Sequence, residues 1–154
     1  MENPLLRLFG FKETKRAPPA EGIESPSKGK VLVVDDSKTF QHMVLRILKS
    51  EGYETLQALS GEEGIKMAEL FKPDLIIMDV VLPGLNGFQA TRQLKKNLET
   101  KDIPVIIVSG NAQATEQFWV LKIGAVDFMT KPFSKKDLIA KLNDHLGRKL
   151  PMGN

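Results

Sequence analysis

Short apolar runs alternate with longer amphipathic stretches along most of this chain. The apolar runs predict five strands, at Val31–Val34, Tyr53–Ala58, Leu75–Met78, Pro104–Val108 and Ala125–Met129. Apolar residues recur with the helical period in five further stretches, Ser37–Ser50, Gly61–Phe71, Phe88–Asn97, Ala112–Ile123 and Ser134–Gly147. This alternation predicts an α/β fold, a doubly wound five-stranded parallel sheet with helices on both faces.

The polarity of the runs also predicts the order of the strands. The first, third and fourth runs are apolar throughout, as central parallel strands are. The second run contains Glu54 and Gln57, which suits an edge strand. The order 2-1-3-4-5 then brings the carboxyl ends of strands one and three side by side, at the point where such sheets bind ligands.

The amino-terminal part of the chain differs from the rest in composition. A short apolar cluster, Pro4–Phe11, precedes a segment rich in Pro, Ser, Gly, Lys and Glu that predicts a linker. We expect residues 1–29 to form an extension, residues 30–150 one domain and residues 151–154 a tail. We interpret the extension as a tethered docking peptide for a partner or a membrane surface, or else as a tail that is disordered or packs back on the domain.

Composition and charge exclude several classes of function. The net charge of +3 is spread along the chain, with six Lys/Arg against four Asp/Glu in residues 1–30 and sixteen against fifteen in the remainder. The positive charge is therefore not concentrated in a basic patch, and this argues against nucleic-acid binding. The absence of cysteine excludes disulfides and thiolate metal sites and suits the cytoplasm. The apolar runs are shorter than the roughly 20 residues of a membrane span.

Polar residues end four of the predicted strands. Asp35 and Asp36 follow the first strand, Asp79 the third, Ser109 the fourth and Lys131 the fifth. Because parallel strands end at one edge, these side chains should converge there. Carboxylate oxygens suit Mg²⁺, which would offset their repulsion. Asp79 would be a nucleophile that accepts a phosphoryl group, while the lysine and the hydroxyl stabilise its charge.

Each of these residues also has an ordinary structural interpretation. Asp36 or Ser37 could cap the next helix, and Asp79 could form a turn. Ser109 could be a loop hydroxyl, and Lys131 could lie at a surface corner. These residues occur together at the ends of four strands of one predicted sheet. That coincidence favours a functional site over separate structural roles.

Two loop features refine the predicted site. The Pro/Gly loop that begins at Val81 could bend the backbone carbonyl of Val81 onto the metal. Lys131 precedes Pro132, and a cis peptide bond there would turn the lysine into the site.

With these residues in place, the chain resembles the response-regulator receiver family over about Lys30–Leu150. The resemblance is carried by Val31–Ser37, by Asp79 with the loop Leu82–Gly87, by Val108–Gly110 and by Lys131–Phe133. It implies a flavodoxin-like receiver fold in which Asp79 is phosphorylated and Asp35 and Asp36 hold Mg²⁺. Ser109 and Lys131 would contact the phosphoryl group.

The resemblance implies further roles at positions near the site. Phe128 would be a switch residue that turns inward when Ser109 is drawn to the phosphate; the alternative is an ordinary apolar residue of the last strand. Val81 and Asn111 would tune the lifetime of the phosphoryl group, and the aliphatic Val81 predicts a durable one. A downstream protein would bind the face formed by the fourth helix, fifth strand and fifth helix.

Within the family, Pro83–Leu94 and Trp119 resemble the CheY-type single-domain regulators of type IV pilus twitching motility. This likeness implies a sensor histidine kinase as phosphoryl donor and output through protein contacts, with homodimerisation of the phosphorylated form as an option. We expect a cytoplasmic protein, with recruitment to a cell pole or a membrane complex through the extension.

The predicted function is therefore a switch that catalyses its own phosphorylation and dephosphorylation, not an enzyme acting on other substrates. An aspartate-nucleophile phosphatase would have a second acid two residues after Asp79, where this chain has Val81. In a flavin carrier on this fold, Asp35 and Asp36 would repel the cofactor's phosphate. A phosphorylation-independent pseudo-receiver acting as a scaffold or docking module is the remaining alternative.

Overall fold

The structure is a computed structural model that describes residues 26–110 and 114–147 of the 154-residue chain. Most of the predicted extension (residues 1–25), Asn111 and the predicted tail (residues 151–154) lie outside the described residues.

The described residues form five strands and five helices in strict alternation, as predicted. In chain order the elements are β1 (Lys30–Val34), α1 (Lys38–Ser50), β2 (Glu54–Ala58), α2 (Gly61–Phe71), β3 (Leu75–Asp79), α3 (Gly87–Lys96), β4 (Val105–Ser109), α4 (Ala114–Lys122), β5 (Asp127–Thr130) and α5 (Lys135–Leu146).

All strand pairs are parallel, and the sheet order is β2-β1-β3-β4-β5. The predicted order is therefore confirmed, with the polar β2 at an edge. β5 begins at Asp127, two residues later than predicted, because the N–H of Ala125 donates to the carbonyl of Val120 at 3.2 Å and so closes the end of α4.

The sheet separates two hydrophobic clusters, because alternate residues of each strand point to opposite faces. On one face, Leu32 and Ile76 pack with α2, α3 and α4. On the other, Val33 and Ile77 pack with α1 and α5. Both layers of a doubly wound fold are thus present, and the strands β1, β3 and β4 are almost completely buried.

Within residues 26–110 and 114–147, four helices begin with a polar cap at the carboxyl edge of the sheet. In each, the cap side chain accepts a hydrogen bond from the backbone N–H three residues later, and the caps are Ser37, Ser60, Asn86 and Ser134. Ser37 rather than Asp36 caps α1, which leaves the carboxylate of Asp36 available for another role.

An ionic cluster joins β5 to α5 away from this edge. The carboxylate of Asp127 lies 2.8 Å from Nζ of Lys141 and 2.8 Å from Nε2 of His145. Although burial opposes the change, these hydrogen bonds hold the pKa of Asp127 below its ordinary value. Among the described helices, none combines the length and apolarity needed to cross a bilayer.

Candidate functional site

Three aspartates meet where the neighbouring strands β1 and β3 end. Asp35 and Asp36 directly follow β1, and Asp79 is the last residue of β3. Asp35 and Asp79 are buried, whereas Asp36 is exposed. One carboxylate oxygen of each residue lies within 4.8 Å of those of the other two. The predicted convergence of these acids is therefore observed.

Local hydrogen bonds fix Asp35. Its backbone N–H donates to the carbonyl of Ala58 at 3.1 Å, which ties it to the end of β2. Its Oδ1 accepts the N–H of Ser37 at 2.8 Å at the start of α1. Its Oδ2 accepts Nζ of Lys131 at 2.7 Å, so both oxygens of this buried group are engaged.

Lys131 enters the site from the end of β5. Its Nζ lies 2.7 Å from Asp35 and 3.4 Å from Oδ1 of Asp79, so one ammonium bridges acids from two strands. Its backbone N–H donates to the carbonyl of Ser109 at 2.8 Å. The Lys131–Pro132 peptide bond is cis, and the ammonium faces the acids.

The environment of Asp79 disfavours its charge. Burial and the nearby carboxylate of Asp35 raise its pKa from 3.8 to about 6, although Lys131 opposes the increase. Asp79 is therefore largely ionised near neutral pH, but its charge is poorly compensated. A strongly displaced pKa beside specific charged partners is typical of functional sites.

The donor set fits a magnesium ion. Mg²⁺ binds carboxylate oxygens at about 2.1 Å, so two ligands of one ion lie about 3–4 Å apart. One oxygen of each of the three acids lies within 4.8 Å of those of the other two, which is close to this spacing. A divalent cation would also offset the repulsion that raises the pKa of Asp79.

The other predicted residues are placed as follows. Ser109, the last residue of β4, is buried at the same edge as the acids. Phe128 is half-buried on β5 and packs against the cluster that includes α4. The side chain of Val81 is 74% exposed beside Asp79. The roles assigned to these residues, to the carbonyl of Val81 and to Asn111 stay predictions.

The loop after Asp79 is held against two helices. A Cβ at Gly87 would lie 2.0 Å from the carbonyl oxygen of Asp79, so only glycine allows α3 to begin this close to the site. On the other side, Oε1 of Glu62 in α2 accepts the N–H of Leu85 at 2.8 Å. Leu82 anchors the loop in the core.

Glu62 and Phe40 also contact the residues that build the site, and neither is among the residues predicted from the sequence. Glu62 holds the loop from another helix, a contact for which the sequence carries no signal. The ring centroid of Phe40 lies 3.9 Å from Nζ of Lys131. Phe40 lies in the first turn of α1, four residues after Asp36, and so close to the edge of the sheet that carries the acids. This position is a sequence signal that could have identified it.

Residues 31–143 match the family model described as the response regulator receiver domain. The chain is 45% identical over 114 residues to the protein PilH of Pseudomonas aeruginosa, a match that covers 74% of this chain and 94% of PilH. PilH is a twitching-motility regulator, so the predicted likeness within the family is confirmed.

A second relative is longer than the matched region. The chain is 36% identical over 121 residues to the phosphate regulon transcriptional regulatory protein PhoB of Pseudomonas aeruginosa, covering 79% of this chain and 53% of PhoB. The chain thus spans about half the length of that regulator.

Solved structures agree with the fold. The chemotaxis protein CheY4 of Vibrio cholerae has a TM-score of 0.72 and 29% identity, covering 75% of this chain and 97% of CheY4. The receiver domain of the sensor histidine kinase PA1611 of Pseudomonas aeruginosa has the same TM-score and identity, covering 77% of this chain and 98% of that domain. In that structure a magnesium ion is coordinated in the active-site cleft.

Proposed function

Because the chain belongs to the response regulator receiver domain family, we propose that it is a switch whose Asp79 accepts a phosphoryl group from a sensor histidine kinase. Receiver domains are signalling switches and not enzymes that turn over a separate substrate. The observation that carries the proposal is the bridging of Asp35 and Asp79 by Lys131 beside Asp36.

Asp35, Asp36 and Asp79 would hold Mg²⁺, together with the backbone carbonyl of Val81. Their mutual spacing supports this assignment, as does the cation bound in the related kinase receiver domain. The ion would neutralise the acids and polarise the phosphoryl oxygens when bound. The protein's own contribution is to keep these acids together at the ends of two buried strands.

Asp79 would act as the nucleophile. One of its carboxylate oxygens attacks the phosphorus of the kinase's phosphohistidine, a P–O bond forms, the P–N bond breaks, and the imidazole leaves with the bonding electrons. The pKa of about 6 leaves the carboxylate ionised for this attack near neutral pH. The product is an acyl phosphate on Asp79.

Lys131 and Ser109 would then recognise the phosphoryl group. The ammonium of Lys131 already touches Asp79, so only a small movement brings it to a phosphoryl oxygen. The hydroxyl of Ser109 would donate to another oxygen from the end of β4. The exposed aliphatic side chain of Val81 would position no attacking water and would favour a long-lived phosphoryl group, whose lifetime Asn111 would also tune.

The signal would leave through the face formed by α4, β5 and α5. Phe128 would couple this face to Ser109, because it packs beside α4. Trp119 and Leu121 expose 60% and 62% of their surfaces on α4 and offer apolar contacts. A downstream protein, or a second phosphorylated copy, would bind here, in twitching motility or a chemotaxis-like pathway. Residues 1–29 would recruit the protein to a pole or membrane complex.

The test is phosphorylation by a small donor. The protein is incubated with acetyl phosphate and Mg²⁺, and the acyl phosphate is quantified by intact mass and by its lability to hydroxylamine. We expect phosphorylation of the wild type, loss in Asp79→Asn and no change in Asp144→Asn, a matched exposed aspartate of α5. Equal uptake by Asp79→Asn, or no uptake by the wild type, would refute the proposal.

A further inference from the structure

The ammonium of Lys131 has neighbours of two kinds. Its Nζ lies 2.7 Å from Oδ2 of Asp35 and 3.4 Å from Oδ1 of Asp79. The ring centroid of Phe40 lies 3.9 Å from the same Nζ. An ammonium that close to the ring is within the range of a strong cation–π contact. We propose that Phe40 is a positioning residue whose aromatic face holds the Lys131 ammonium in the site.

Phe40 is well placed for this task. It lies in the first turn of α1, where Ser37 caps the helix by accepting the N–H of Phe40. Its ring is half-buried and packs against the core on the α1 and α5 face. The ring of Phe133 meets it edge to face, with centroids 5.6 Å apart and planes at 87°. The helix cap and the contact with Phe133 therefore both constrain the orientation of the Phe40 ring.

The same short segment carries both contacts. Lys131 lies over the Phe40 ring and Phe133, two residues later, packs against it. The segment after β5 thus contacts the ring of Phe40 in α1 through two of its side chains. An aliphatic residue at position 40 could fill the same volume, but it would offer no electron-rich face to the ammonium.

The consequence for function rests on the proposed phosphorylation. Lys131 pairs with Asp35 and Asp79, which are also the residues assigned to the metal ion and to the phosphoryl group. The metal ion and the phosphoryl group would therefore compete with the ammonium for these two carboxylates. The ring of Phe40 has no such second role. It can hold the ammonium near Asp79 whether the acids are paired with Lys131 or engaged elsewhere, and so keep it ready for a phosphoryl oxygen. The side chain of Lys131 is only 25% exposed, which strengthens the contact.

The first experiment measures the contact itself by NMR on the full chain. Protons above an aromatic face are shifted upfield, so the ε-methylene protons of Lys131 should be shifted upfield in the wild type. The shift should disappear in Phe40→Leu and persist in Phe71→Leu, which removes a half-buried ring from the opposite face of the sheet. An unchanged Lys131 signal in Phe40→Leu would overturn the proposal, whether or not the protein is phosphorylated.

The second experiment measures the consequence with acetyl phosphate as donor. Phe40→Leu should lower the phosphorylation rate constant by about 2- to 30-fold, the range of a cation–π contact. Affinity for Mg²⁺, measured by calorimetry, should not change because the group of acids assigned to the metal, Asp35, Asp36 and Asp79, is left intact. A pentafluorophenylalanine at position 40 keeps the ring's shape but removes its negative face, and it should be as slow as leucine.

The outcomes separate this inference from the proposed function. A wild type that takes up no phosphate refutes the phosphorylation switch, while the Lys131 signal still decides the role of Phe40. A pentafluorinated variant as fast as the wild type would mean that only the ring's shape matters, and it would overturn the proposal. A Phe71→Leu variant slowed as much as Phe40→Leu would also overturn it, since any lost ring would then suffice.

Discussion

Replacing the proposed phosphoacceptor by its neutral isostere should stabilise the fold. Asp79 is only 6% exposed and lies beside Asp35, and its pKa is raised to about 6 by burial and by that neighbouring charge. Asp79→Asn keeps the shape of the side chain and removes the charge. The gain should depend on pH, because wild-type Asp79 is also neutral in acid.

The magnitude follows from the protons bound in each state. The folded protein keeps the Asp79 proton up to about pH 6, whereas the unfolded chain loses it near 3.8. Between these values the folded state binds more protons, so the free energy of unfolding falls as pH rises. At about 1.4 kcal/mol per pH unit, the cost reaches about 3 kcal/mol above pH 6. Asp79→Asn carries no ionisable group at this position, so its free energy of unfolding does not fall in this way.

The assay is urea denaturation of both proteins at about pH 4 and pH 7.5 without divalent cations. The two should be about equally stable in acid, and Asp79→Asn should be more stable by about 3 kcal/mol near neutral pH. Saturating Mg²⁺ should narrow the gap, because the proposed metal site exists only in the folded protein and loses one of its three carboxylates in Asp79→Asn. Asp144→Asn, on the exposed side of α5, should show neither effect.

Two results would refute this reasoning. An Asp79→Asn variant less stable than the wild type near neutral pH would mean that the ionised carboxylate stabilises the fold through Lys131, and that its pKa is not raised. A gap of the same size at both pH values would mean that the effect arises from packing and not from charge.

Three further predictions concern the supports of the site and of the sheet. Glu62→Ala should weaken Mg²⁺ binding severalfold in calorimetry because it frees the N–H of Leu85, whereas Glu62→Gln, which keeps an acceptor oxygen, should not. Gly64→Ala should lower the free energy of unfolding by about 1–3 kcal/mol in urea denaturation, since its Cβ would meet Val34 Cγ2 at 2.8 Å. Asp127→Asn should destabilise the fold near neutral pH but not below the lowered pKa of Asp127, as urea denaturation at two pH values would measure.

Much of the fold follows from local patterns. The apolar runs at Val31–Val34 and Leu75–Met78 are buried strands because a parallel sheet covered on both faces leaves no exposed position for polar residues. The polar β2 is an edge strand for the same reason. The apolar pattern places the start of β5 two residues too early, because Ala125 closes the end of α4 through a backbone hydrogen bond that this pattern does not encode.

The sequence by itself determined which residues end the strands, and parallel pairing then required Asp35, Asp36, Asp79 and Lys131 to share one edge. Only the tertiary structure decided how these groups pair: which acids share the ammonium, how far burial raises the pKa of Asp79, and that a ring of α1 faces Lys131. Strand ends are set by local hydrophobic pattern, whereas these contacts join residues up to 96 positions apart. Their distances and burial exist only once the chain has packed.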